Sequence, residues 1–184
     1  MSDFRFDPIK HEYWYGTRRL LGTTEVIKAA GLIYNGASDE RLEEGRIVHE
    51  CCALLAKNNL DWNTVDDRIV GWVRSYEKLL DHTKWVANAV EVSLFDPLLG
   101  FAGTFDCDFE NENLFDIKTG VKSKWHKLQT AAYAKLHGSK PKRGTLYLRE
   151  DGELPKIEYH YDSTDWPAFL TCLNWVRVKE QYGN

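Results

Sequence analysis

Apolar and polar positions change their period several times along the chain, and each change marks an element. The stretch "HEYWYGTRRLLG" alternates around Gly16-Thr17 and predicts a small hairpin. "TTEVIKAAGL" after it predicts a short helix started by Thr23 or Thr24 and stopped by Gly31. From Ser38, which suits an N-cap, apolar residues recur at helical spacing through Leu42, Ile47, Val48, Cys51, Leu54 and Leu55, with acids in the first turn and Lys57 in the last. That pattern is a long helix with His49 near its middle. A second helix is predicted over residues 65–80, striped by Ile69, Trp72, Val73, Tyr76, Leu79 and Leu80.

The period then shortens to two. "WVANAVEVSLF", "GFAGTFDCDFE" and "LFDIKT" are rich in β-branched and aromatic residues and are separated by the turn signals Asp96-Pro97 and Asn111-Glu112-Asn113, which predicts three consecutive antiparallel strands. "KWHKLQTAAYAKLHG" returns to helical spacing, with Trp125, Leu128, Ala132 and Leu136 inward and Gly138 as the stop ahead of Pro141. A strand "GTLYLR", a hairpin partner "KIEYHYD" and a terminal helix over 165–182 follow, the helix carrying Trp166, Phe169, Leu173, Trp175 and Val176. The order α-β-β-β-α-β with helical additions predicts one α/β domain over residues 1–184, with an accessory hairpin and helix over residues 1–37. No internal repeat or linker interrupts it.

Strand alternation bears on chemistry. It sends Phe105, Cys107 and Phe109 to one face and Asp106, Asp108 and Glu110 to the other, and it sets Phe115 and Ile117 opposite Asp116 and Lys118. If the strands pair around Asn111–Asn113, an acid from each converges at one end of the sheet. Such carboxylates repel one another unless a cation sits between them. Asp108 and Glu110 read instead as the wet face of an antiparallel sheet.

Composition narrows the partners. The chain of 184 residues is 43% hydrophobic and 28% charged, an ordinary globular balance with enough length for a core. No apolar run nears the roughly 18 residues of a membrane span, and "MSDFRFDPIKHEYWYG" lacks the order of a secretory signal, so a cytoplasmic protein is expected. Cys51 and Cys52 are adjacent, Cys107 and Cys172 isolated; without a C-x-x-C pair, reduced and mostly buried thiols are expected rather than zinc or an iron-sulfur cluster. Net charge is −4, yet residues 118–149 hold nine Lys or Arg and no acid, leaving −13 on the remainder. One segment is thereby suited to an anion, with Lys122, Lys124, Lys127, Lys135, Lys140, Lys142 and Arg143 alongside the predicted helix.

Four motifs stand in order: Gly45-Arg-Ile-Val-His49, Gly103-Thr-Phe-Asp106, Asp116-Ile-Lys118 and Gln129-Thr-Ala-Ala-Tyr133, with Glu91 in the strand before Asp106. With these the chain resembles the PD-(D/E)xK nuclease superfamily, in particular its RecB-like and lambda-exonuclease-like branch common in phages. The likeness spans roughly residues 10 to 150 and includes the opening hairpin. It implies a restriction-endonuclease-like core with a mixed central sheet flanked by helices. It further implies a DNA-hydrolysing enzyme that leaves five-prime phosphates, working in a bacterial or phage-infected cell.

The resemblance assigns roles that phosphodiester chemistry makes sensible. Asp106 and Asp116 supply hard oxygen ligands for one or two Mg²⁺ or Mn²⁺ ions, and the carbonyl of Ile117 and imidazole of His49 complete the protein's share. Glu91 binds a second ion or orients water. Lys118 steadies charge in the transition state. Gln129 and Tyr133, at i and i+4, either meet the DNA backbone or pack the helix on the sheet. Trp125 either stacks on a base or belongs to the core. An exonuclease is the expected form, with a structure-specific endonuclease or nickase, or a catalytically silent DNA-binding module, as alternatives. A recombinase or single-strand annealing protein and a homo-oligomer are the further partners expected from the likeness.

Overall fold

The computed structural model describes residues 3–33, 38–138 and 142–183. Lys140 and Pro141, placed in the basic segment by sequence, lie outside them. The chain opens with β1 (Phe4–Asp7), β2 (Glu12–Tyr15) and β3 (Arg18–Gly22), an antiparallel meander that extends the expected hairpin by one strand. Helix α1 (Thr23–Ala29) follows at once. Its first turn is closed by Glu25, which accepts from the amide of Gly22 at 3.1 Å. Helix α2 (Asp39–Ala56) starts as predicted at Ser38, whose hydroxyl accepts from the Arg41 amide.

Helix α3 (Val70–Thr83) begins five residues later than the range expected for it. Asp66 accepts from the Arg68 amide through its side chain and from the Ile69 amide through its carbonyl, which fixes a turn where the helix was expected to start. A single 3₁₀ turn, Trp62–Thr64, also precedes it. Then come β4 (Ala87–Asp96), β5 (Phe101–Phe109), β6 (Asn113–Lys118), α4 (His126–His137), β7 (Lys142–Tyr147), β8 (Lys156–Tyr159) and α5 (Asp165–Tyr182). The predicted α-β-β-β-α-β order is present, and Gly138 ends α4 with a φ of 78° as a left-handed cap.

All eight strands join one mixed sheet. β4, β5 and β6 are antiparallel, β7 runs parallel to β6, and β8 returns antiparallel. β4 occupies one edge of β5 along its length, so β3 and β6 share the other: β3 pairs with Phe101 and Ala102, β6 with Cys107, Asp108 and Phe109. Residues 103–106 are left between them on that edge, and the sheet forks there.

Helices cover both faces. Val48, Cys52, Trp72, Val73, Tyr76 and Leu79 of α2 and α3 bury Cys107, Phe109, Phe115, Ile117 and Leu146. On the opposite face Phe105 and Leu114 meet Tyr133 of α4, while α1, α4 and α5 form a further core around Phe101 and Phe169. Two expectations are corrected. Phe105 does not share a side with Cys107 and Phe109, because β5 departs from strict alternation at the fork, where Asp106 and Cys107 both look toward α2 and α3. Leu42, placed in the apolar stripe of α2, is exposed in its first turn. The cysteines are free thiols, with Cys51, Cys52 and Cys107 buried as expected. No helix among the described residues is long and apolar enough to cross a membrane.

Candidate active site

Three elements deliver the site. α2 carries His49 across the fork, β4 carries Glu91, and β5 ends its unpaired stretch at Asp106. One ligand atom from each of these three residues lies within 4.8 Å of the others. His49 Nδ1 is 3.2 Å from an Asp106 oxygen and 3.9 Å from a Glu91 oxygen. Asp106 also accepts a hydrogen bond from the Ile117 amide, which ties β5 to β6 where the ladder has opened. This bond sets the main chain of Ile117 beside the acid. Asp116 is 1% exposed and its Oδ2 lies 2.7 Å from Lys118 Nζ. Phe115 and Ile117 are buried on the other side of β6, so the alternation read from "LFDIK" holds.

Backbone strain marks Glu91. Its φ is 53°, in the left-handed region a non-glycine residue seldom adopts, and this sits in the middle of β4 opposite the fork. Such conformations cost on the order of 1–3 kcal/mol and gather at functional sites. Here the twist coincides with a carboxylate turned toward His49 and Asp106.

Negative charge is crowded in the site. Burial, then the nearby Asp106 charge, pushes the Glu91 carboxyl up to about 7. Burial raises Asp116 to about 6, with Asp106 adding to the rise and Lys118 opposing it. Asp106 goes the other way: burial works against its charge, but His49, Lys118 and the Ile117 amide together hold it below the usual carboxylate range. For His49 burial disfavours the cation, yet Asp106 and Glu91 raise it on balance. The carboxylates of Glu91, Asp106 and Asp116 disfavour one another's charge, and the imidazole of His49 with the carboxylates of Glu91 and Asp106 is a donor set suited to a hard or borderline divalent cation.

No family model matches this chain, and no curated protein matches it. Among solved structures it is similar to LHK-Exo in complex with dAMP, at 12% identity and a TM-score of 0.48, over 88% of each chain. It is similar also to the alkaline exonuclease LHK-Exo of Laribacter hongkongensis, at 14% identity and TM-score 0.44 over 88% of this chain and 92% of that one. A third, SSO0001, matches at 15% identity and TM-score 0.45 over 88% of this chain and 76% of that one.

The remaining motif residues lie deeper than a nucleic-acid contact requires. Gln129 and Tyr133 are 4% and 6% exposed, and the Gln129 amide donates to the Tyr133 hydroxyl at 2.9 Å and to Thr24 at 3.0 Å. They do share one helical face, as i and i+4 demand, but that face packs α4 on α1 and β5. The placement favours packing over contact with DNA. Gly103 explains the coupling of its motif to theirs: a Cβ there would come within 2.6 Å of Thr23 Oγ1 and 2.7 Å of Tyr133 Cε1. The glycine is needed for close approach, three residues before Asp106.

The basic segment is less bare than its sequence suggests. Lys122 pairs with Glu158 at 2.5 Å, Lys127 with Asp165 at 3.4 Å, Arg143 with Asp165 at 2.7 Å, and Arg149 with Asp151. Folding brings acids from the last forty residues against it. Lys124 is exposed in the loop after β6, while Trp125 is half-buried against the α1–α4–α5 core with its ring 5.8 Å from Lys118 Nζ. Asp108, expected in water, is buried at 8% beside His137, whose Nε2 is 3.6 Å away. Helix α4 covers that part of the sheet; Glu110, just past it, is exposed as expected.

Sequence reasoning missed Tyr13. Its hydroxyl meets Thr104 Oγ1 at 3.0 Å, and Thr104 meets Ser93 at 2.7 Å, two residues along β5 and β4 from Asp106 and Glu91. Burial pushes the phenol up to about 12, with the Glu91 and Asp106 charges adding to it. A tyrosine in a hairpin some ninety residues upstream carries no local signal of this position.

Proposed function

We propose that the protein is a divalent-metal-dependent deoxyribonuclease that hydrolyses phosphodiester bonds, acting as an exonuclease in DNA processing of the phage-recombination type. The observation that carries the reading is the convergence of His49, Glu91 and Asp106 within 4.8 Å at the sheet fork, with buried Asp116 and its partner Lys118 on the adjoining strand. A silent binding module has no need of three carboxylates that raise one another's proton affinity gathered around one histidine.

His49, Glu91, Asp106 and Asp116 would hold Mg²⁺ or Mn²⁺, the imidazole making Mn²⁺ well tolerated. When bound, the cation supplies charge neutralisation at the phosphoryl group and acidifies nearby water. The chain's own residues supply the rest. His49 and the Ile117 amide keep Asp106 ionised although it is buried. Glu91, more open to solvent than Asp106 or Asp116, is placed to orient water. Asp116 fixes Lys118 Nζ at 2.7 Å, so that its positive charge meets the extra negative charge that develops on the phosphoryl oxygens. Lys122 and Lys124, on the loop leaving β6, flank the site as phosphate contacts.

The test incubates end-labelled linear and closed circular DNA with Mg²⁺, Mn²⁺ or EDTA, beside Asp116→Ala and Lys118→Ala. Metal-dependent cleavage of linear DNA from its ends, lost in both variants, is expected. Cutting of the closed circle identifies an endonuclease of the same chemistry; cleavage in EDTA or undiminished in the variants refutes the mechanism.

A further inference from the structure

Away from the fork, the turn between β4 and β5 forms the floor of a second cavity of about 430 Å³, lined by Arg18, Arg19, Leu21, Gly100, Arg177, Glu180 and Gln181. Three guanidinium groups from β3 and the end of α5 gather there, and they differ in how their charge is used. Arg19 is taken up by Glu25 at 3.0 Å and Glu12 at 3.7 Å, with Glu180 adding to its field. Among the described residues Arg18 donates only to the Pro97 carbonyl, at 3.3 Å. Arg177 has no ion pair among the described residues, and its Nη2 is buried without a hydrogen-bond partner. A buried donor on a cation left unsatisfied costs on the order of 1–3 kcal/mol or more. Such a cost is relieved when an anion fills the cavity.

Gly100 shows that the two free guanidinium groups point at one place. With a φ of 61° it is in the left-handed region, and a Cβ built there would overlap Arg18 Nη2 and lie 3.3 Å from Arg177 Nη2. Both tips therefore crowd the space above a residue that has no side chain. Neither guanidinium group makes an ion pair among the described residues, although Glu180 lines the same cavity, and two like charges that converge in this way repel unless an oxyanion bridges them. Planar N–H forks of this kind match phosphate oxygens.

We infer that Arg18 and Arg177 form an anion site for a phosphate group. The site is separate from the cleavage centre: Gly100 lies in the turn before β5, six residues from Asp106, a stretch that spans up to about 20 Å at about 3.3 Å per residue. It does not hold the scissile phosphate. Its occupant is a phosphate of the DNA backbone several nucleotides from the cut; this identity of the source rests on the nuclease reading, whereas phosphate binding itself does not.

The experiment uses the full chain and the variants Arg18→Gln and Arg177→Gln, with near-ultraviolet circular dichroism checking that each folds. Binding of a labelled 30-base-pair duplex is measured by fluorescence anisotropy in EDTA across a salt series, thermal stability is read with and without inorganic phosphate, and hydrolysis of bis(p-nitrophenyl) phosphate reports the cleavage centre. Each variant is expected to weaken duplex binding about 3- to 10-fold and to lower the salt slope by about 1, as loss of one phosphate contact does. Inorganic phosphate should raise the melting temperature of the parent protein more than that of either variant. Hydrolysis of the small ester should not change, and a parent protein inactive on it with every metal counts against the nuclease reading alone. A phosphate-dependent melting shift with unaltered duplex binding overturns the DNA source and leaves a free-phosphate site. Parent-like duplex affinity, salt slope and phosphate response in both folded variants overturn the inference.

Discussion

Replacing Glu91 by Gln should stabilise the metal-free protein, although it removes a charged group from a site that has cations within reach. In the folded chain burial and Asp106 raise this carboxyl from its ordinary 4.5 to about 7. The charged form is thus penalised by folding, by up to about 3.4 kcal/mol at about 1.36 kcal/mol per tenfold change in acidity. With 38% of the side chain open to solvent the penalty is screened, and about 1–2 kcal/mol is expected. The sign with pH follows from a folded value above the unfolded one: the penalty is complete above about pH 7, shrinks as the folded carboxyl takes up its proton, and is gone below 4.5. Gln has the same shape and keeps the left-handed backbone, so the 53° φ contributes equally to both proteins. Urea unfolding in EDTA should show Glu91→Gln more stable by about 1–2 kcal/mol at pH 8.5, with less than half of that gain left at pH 5.5. Added Mn²⁺ should reverse the order, because the parent gains more from the ion. A variant less stable than the parent in EDTA at pH 8.5, or a gain that does not vary with pH, would refute the account of a carboxylate held against its neighbours.

Three other outcomes are expected. Gly103→Ala should cost about 1–3 kcal/mol in urea unfolding, since its Cβ meets Thr23 and Tyr133 at 2.6 and 2.7 Å in a packed core; an unchanged midpoint would show that α4 yields freely. Lys118→Met should lower kcat about 100- to 1,000-fold while Mn²⁺ still raises the melting temperature, and full activity would remove Lys118 from the chemistry. His126 is buried with Nδ1 2.9 Å from the Tyr147 hydroxyl, and burial, with help from Lys118, lowers it from 6.5 to about 3. Unfolding therefore takes up a proton below pH 6.5, so between pH 7.5 and 5.5 the parent should lose about 1 kcal/mol that His126→Gln does not lose, as measured by urea midpoints at the two pH values.

What the sequence disclosed and what it hid divide along the range of the interactions involved. Elements whose signals are local were legible: the cap at Ser38, the stop at Gly138, the terminal helix over Asp165–Tyr182 and the alternation of "LFDIK" all depend on neighbours within a turn or a strand. The late start of α3 was hidden because an apolar stripe says which face is buried, not where Asp66 will turn the backbone. Asp108 and the basic segment were misjudged for another reason. Which helix covers a strand, and that Asp165 comes to face Lys127 and Arg143, are matters of tertiary approach that net charge along a sequence does not register.

The spacing of the motifs has a physical meaning that the sequence did not give away. β3 and β6 both need the same edge of β5, and neither covers residues 103–106. Gly103 sits at one end of that gap, where the absence of a side chain admits Thr23 and Tyr133; Asp106 sits at the other, where its carboxylate replaces the missing ladder bond by accepting from Ile117. The spacing of glycine and acid therefore places them at the first and last of the four residues that have no strand partner on that edge. An acid one residue earlier or later would stand on the opposite side of the strand or within a closed ladder. Held at the fork, Asp106 is close to α2 and β4 at once, which is why His49 and Glu91, 57 and 15 residues upstream, reach the same few ångströms.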